Sequence, residues 1–172
     1  MNRRVWIWAL AGWGVVSTAP LWAAEIELTT RVSGVVDQVL VKSGQRVSKG
    51  TILLRLGQTI LQARVDEATA EHARAQVDEK DATREMGRAQ EMFDRTVSST
   101  SELDAAQLRQ ARAQATLAAA AARRVIAEQN LKDAVLRAPF DGVVSAIPGA
   151  PGTVVAAECQ PRTLVILRSA RP

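Results

Sequence analysis

The sequence predicts an α+β fold in which a small β-sandwich is interrupted by a long antiparallel helical hairpin. Three observations carry this. From about Gln58 to Lys132 the chain has no proline and almost no glycine, and is built of alanine, glutamine, arginine and glutamate, all strong helix formers. On either side lie short β-branched runs punctuated by glycine, the pattern of tightly turned strands. The two flanks also repeat one another, which a pair of unrelated β segments would not do.

The first residues stand apart from the fold. Arg3 and Arg4 followed by the apolar stretch Val5 to Val16 have the layout of a secretory signal, with a cut expected after Ala23. An uncleaved anchor is the alternative. Gly12, Gly14, Ser17 and Pro20 interrupt the run, however, and a span needs roughly 20 apolar residues. The expected organisation is therefore a signal peptide over 1–23, a first β half over 24–57, the hairpin over 58–132 with its tip near 95–100, and a second β half over 133–172.

In the first half, strands are expected within Val32 to Val41 and Gly50 to Gly57; in the second, within Ala134 to Val144 and Thr163 to Arg168. Gly34 precedes Val35-Val36 and is followed ten residues on by Gly44. Gly142 precedes Val143-Val144 and is followed ten residues on by Gly152. Neither half is large enough to bury a core alone, so the two are expected to pair as one sandwich about a pseudo-two-fold axis.

The hairpin has a register of its own. Leu61, Val65, Ala68, His72, Ala75, Glu79, Ala82, Met86, Ala89 and Phe93 alternate steps of four and three, the seam of a coiled coil, with Glu79 its one flaw. Leu108, Ala111, Ala115, Ala118, Ala122 and Val125 keep the same alternation downstream and are expected to face the first arm. Thr96 to Ser101 is rich in short hydroxyl side chains and marks the turn, and Ser99 with Glu102 three residues later predicts a capping box. Each arm of about 35 residues would be roughly 50 Å long.

Composition excludes several functions. All four tryptophans (Trp6, Trp8, Trp13, Trp22) lie in the leader, there is no tyrosine, and only Phe93 and Phe140 remain as aromatics, too few for a base-stacking platform. The net charge of +4 comes from arginines interspersed with carboxylates, the pattern of solvated helix faces, so no nucleic-acid partner is expected. Cys159 and His72 are each the only residue of their type. Cys159 is expected as a small buried hydrophobe, no metal site is expected, and no catalytic residues or cofactor are assigned.

Several stretches resemble the membrane fusion proteins, the periplasmic adaptors of HlyD and AcrA type. Ser33-Gly34-Val35-Val36 with Gly44 to Leu53 is similar to that family's first lipoyl half-motif, and Leu136-Arg137-Ala138-Pro139-Phe140-Asp141-Gly142-Val143-Val144 to the opening of its second. At the tip, Arg88, Met92 and Ser99 fall at the spacing of the family's arginine, leucine and serine for docking on TolC-like outer-membrane channels, with methionine in place of leucine. The resemblance implies a lipoyl-like β-sandwich (barrel-sandwich hybrid) split by a coiled-coil hairpin, in a short form lacking the later β-barrel and membrane-proximal domains.

The function this resemblance implies is that of a non-enzymatic, periplasmic subunit of a tripartite efflux or secretion system. Its implied partners are further copies of itself, with hexamers among the expected states, a TolC-like channel reached through Arg88, Met92 and Ser99, and an inner-membrane RND or ABC transporter. Two alternatives stay open: a truncated or accessory coiled-coil periplasmic scaffold without pump coupling, and a lipoyl or biotin carrier. A carrier needs a lysine where the two halves join, whereas Lys42 and Lys49 belong to earlier turns.

Overall fold

The computed structural model describes residues 25–96, 99–157 and 162–169. The expected signal segment, residues 97 and 98 of the tip, and Cys159 lie outside the described residues.

Eight strands and two helices follow in the order β1 (Glu25–Leu28), β2 (Gly34–Val39), β3 (Arg46–Val47), β4 (Ile52–Leu56), α1 (Thr59–Asp94), α2 (Thr100–Asp133), β5 (Val135–Arg137), β6 (Gly142–Ala146), β7 (Val154–Val155) and β8 (Val165–Ser169). They form two four-stranded sheets, β1-β8-β6-β3 and β5-β4-β2-β7, each drawing strands from both sides of the hairpin. The α+β split sandwich expected from the sequence is thus the observed fold. Strand β1, which the sequence pattern did not reveal, pairs with β8 along Glu25 to Leu28. The long run from Ala134 to Val144 is two strands joined by a turn rather than one.

The pseudo-two-fold axis is visible in individual hydrogen bonds. Gly44 donates its amide to the Val144 carbonyl and Gly152 donates to Val36, both at 2.8 Å. Val144 donates to Gln45 and Val36 donates to Thr153, both at 2.9 Å. Every partner is answered by the residue at the same place in the other half. Gly44 and Gly152 hold φ of 83° and 85°, so glycine at both is a requirement of the turn. Gly142 is demanded by space: a Cβ there would lie 2.5 Å from the Arg168 carbonyl oxygen.

Between the sheets, Val36, Leu53, Leu54, Leu56, Val144, Val155, Leu164, Val165 and Leu167 are almost wholly buried. Each contributes about 1.5–3 kcal/mol relative to exposure. A register shift between Ile52 and Leu54 lets the consecutive Leu53 and Leu54 both turn inward. The hairpin base enters the same core through Leu61 and Ala134, with Leu131 packed against it. That contact, and the bond from the Leu56 amide to the Ala134 carbonyl at 2.8 Å, fixes the rod to the sandwich.

The helices span 36 and 34 residues, rods of roughly 50 Å. All ten α1 seam positions from Leu61 to Phe93 are buried or half-buried, as their spacing predicts. The expected α2 seam is not the one used. Leu108, Ala111, Ala115, Ala118, Ala122 and Val125 are all exposed, and Leu103, Ala106, Gln110, Ala113, Leu117, Ala120, Arg124, Ala127 and Leu131 face α1 instead. Both sets alternate steps of three and four, because alanine covers α2 nearly all round and marks no face. Register is set by polar pairs: Arg109 with Glu85, Arg123 with Glu71, and Gln110 donating to Thr83 at 3.1 Å. The flawed Glu79 joins this set by accepting from the Thr83 hydroxyl at 3.0 Å.

This seam assignment makes a contrast between two alanines. Ala120, fully buried, should not accept a larger side chain, and Ala120→Leu is expected to cost about 1–3 kcal/mol in chemical denaturation. Ala118→Leu, on the exposed stripe, should stay within about 0.5 kcal/mol when measured on monomeric protein. The reverse order would restore the seam first expected.

Candidate functional site: the hairpin tip

Arg88 and Met92 stand four residues apart on the last turns of α1, hence on one face. The structure brings them together with Glu85, Glu102 and Arg109 around a shallow groove of about 470 Å³ between the two helices. Ser99 does not line this groove; it sits at the head of α2. Met92 is 47% exposed, an apolar side chain presented to solvent beside two arginines and two carboxylates.

The turn itself departs from expectation in one detail. Ser99 occupies the N-cap with φ −84° and ψ 155°, as predicted, and its carbonyl accepts from the amides of Glu102 (3.1 Å) and Leu103 (3.3 Å). Its hydroxyl caps no helix amide, pairing at 2.8 Å with the hydroxyl of Ser101. The hydroxyl-rich composition that marks the turn thereby supplies a competitor for the cap.

At the end of α1, Thr96 holds φ of 62° and donates its amide to the Phe93 carbonyl at 2.9 Å. This is a left-handed helix stop of the kind glycine or asparagine makes without strain. A β-branched residue there is disfavoured by about 1–2 kcal/mol. Thr96→Asn is therefore expected to raise stability by about 0.5–1 kcal/mol, read as a higher denaturation midpoint at unchanged slope.

Glu85 and Arg109 were not singled out by sequence reasoning. Their signal was available: Glu71 and Glu85 stand as far apart on α1 as Arg109 and Arg123 do on α2, so an antiparallel pair meets both at once. The hydrogen bond from Arg109 holds the Glu85 carboxyl below its ordinary value of 4.5, opposed by desolvation and helped by the charges of Arg109 and Arg88. Arg109 is raised by the same contact. For a lowered carboxylate, the stabilisation is complete above 4.5 and is lost as pH falls through the folded-state value. In a carboxylate NMR titration Glu85 should titrate below 4.5, and Arg109→Ala should return it toward 4.5.

Among the described residues no group of three or more His, Cys, Asp or Glu side chains could hold a metal ion. No helix among them is long and apolar enough to cross a membrane. The groove presents charge and one exposed apolar side chain.

Comparison with known proteins bears on this arrangement. No known family profile matches the chain. An uncharacterized protein of Escherichia coli K12, YdhJ, is 32% identical over 123 residues, covering 72% of this chain and 43% of its own length. Among solved structures, the membrane fusion protein Spr0693 from Streptococcus pneumoniae R6 superposes with a TM-score of 0.64 over 85% of this chain and 59% of its own, at 20% identity.

The chain has the membrane fusion protein fold. A MacA–MexA chimera carrying the Pseudomonas aeruginosa MexA α-hairpin domain gives the same answer, at TM-score 0.63 and 23% identity over 84% of this chain and 48% of the other. ZneB from Cupriavidus metallidurans superposes at a TM-score of 0.61 and 17% identity, over 85% of this chain and 61% of its own. The chain thus spans about half the length of these solved structures, 48% to 61%.

Proposed function

We propose that this protein is a periplasmic adaptor subunit of a tripartite efflux or secretion system, belonging to the membrane fusion family. It acts as a scaffold, without catalysis, joining an inner-membrane RND or ABC transporter to a TolC-like outer-membrane channel. The observation that carries this is the rod of roughly 50 Å, rooted in the sandwich core through Leu61, Leu131 and Ala134 and ending in a charged groove with an exposed methionine. Arg88, Met92 and Ser99 are the proposed channel contacts.

Self-association is supported by the face of α2 that α1 leaves uncovered. Leu108 and Val125 are 52% and 58% exposed there and form a second heptad stripe with Ala111, Ala115, Ala118 and Ala122, flanked by Ile126 at 59%. Such a stripe fits a helix of a neighbouring copy, as side-by-side hairpins in a ring require.

The carrier alternative finds no support, since the junction between the halves is the hairpin itself and Lys42 and Lys49 lie in other loops. Crosslinking from Ser98→Cys, in cells whose native Cys159 is replaced by alanine, tests the docking role. Capture of an outer-membrane channel is the expected result, and its loss in Met92→Asp would tie it to the groove. Self-crosslinking without a channel, in well-expressed protein, would instead favour an accessory scaffold.

A further inference from the structure

A second cleft lies at the opposite end of the rod, where the β1–β2 link, the last turn of α2 and strand β5 converge. Its volume is about 650 Å³, within the roughly 300–1,000 Å³ range of small-molecule sites. Three cations line it, Arg31, Lys132 and Arg137, against one carboxylate, Asp133. Arg31 and Lys132 make no ion pair among the described residues. One oxygen of Asp133, Oδ1, accepts from the Gln129 side-chain amide at 2.7 Å. Arg137 gives one donor to the Gly50 carbonyl at 3.1 Å, and a guanidinium has five.

The cleft is held in shape from beneath. Thr30 is 7% exposed, accepts from the Val32 amide at 3.2 Å and donates to the Asp133 carbonyl at 3.4 Å, tying the β1–β2 link to the helix end. The end of α2 adds about half a negative charge. Asp133 adds one more, so three cations leave a positive balance. Like charges in excess of their counter-charges repel, and a bound anion reduces that cost.

From this geometry we infer that the cleft binds a phosphate group. Two arginines from separate elements can each present a fork of donors to a tetrahedral anion, and Lys132 adds a point charge. The group can belong to a soluble phosphate compound or to a phospholipid headgroup. The inference stands on the cleft's own residues and is independent of the adaptor reading.

The test is an amide NMR titration of the full chain with inorganic phosphate at constant ionic strength. Saturable shifts confined to Thr29–Arg31 and Lys132–Arg137 are expected, at least tenfold weaker in affinity in the Arg31→Gln/Arg137→Gln double variant. Arg46→Gln, an exposed cation on β3, should bind as the native chain does, and far-ultraviolet circular dichroism should show native helix in all three. Sedimentation with phosphatidylglycerol vesicles separates the sources: retention that the double variant loses points to a lipid headgroup, and phosphate binding without retention to a soluble ligand. Unsaturable shifts, shifts spread over every basic residue, or an equal loss in Arg46→Gln would overturn the inference.

Discussion

The constraint on which the structure depends is that neither β half is complete. Gly44, Gln45, Gly152 and Thr153 spend their backbone groups on Val144 and Val36 of the opposite half, so each half closes the other's turn. The remaining architecture serves to bring these residues together. The chain must leave the sandwich at Leu56 and return at Ala134, and two helices of nearly equal length are a straightforward way to do so. The hairpin is thus both the projecting element and the link that makes the sandwich possible.

Within the hairpin, stability and register come from different residues. Alanines such as Ala75, Ala82, Ala106 and Ala120 let the helices approach closely, yet they specify no alignment because one alanine fits another's place. Alignment falls to the polar crossings of Glu71 with Arg123, Glu85 with Arg109, and Thr83 with Gln110. Surface ion pairs of this kind contribute little each, typically under about 1 kcal/mol. Their use is that a slip of one residue along either helix would misplace all of them together.

Much of this was legible in the sequence, for reasons that also explain what was not. The glycine spacing foretold the paired halves because a left-handed turn at Gly44 and Gly152 leaves little chemical choice. The α1 seam was readable because Leu61, Val65, Met86 and Phe93 are large enough to mark a face. On α2 the large residues were divided between two faces, Leu103, Leu117 and Leu131 inward and Leu108 and Val125 outward, so heptad spacing alone could not choose. At the tip, Arg88 and Met92 line one groove because they stand one helical turn apart, whereas the groove's other wall comes from α2 and needed the antiparallel register first. Strand β1, only four residues long with two glutamates, carries too weak a pattern to be seen without its partner β8.

The near-equal arms have a consequence for the order in which the molecule assembles. Contacts along the hairpin nearest the turn are local in sequence, whereas those joining the β halves span the whole insertion. Closing a flexible loop costs free energy that grows as the logarithm of its length. Once the arms have zipped, the ends at Thr59 and Asp133 are already neighbours, and the sandwich closes as if across a few residues. The saving over an unstructured insertion of the same length is about 2–3 kcal/mol. The rod is in this sense a folding guide, and damage near its far end would be felt in a β core some fifty ångströms away, on the order of the rod's length.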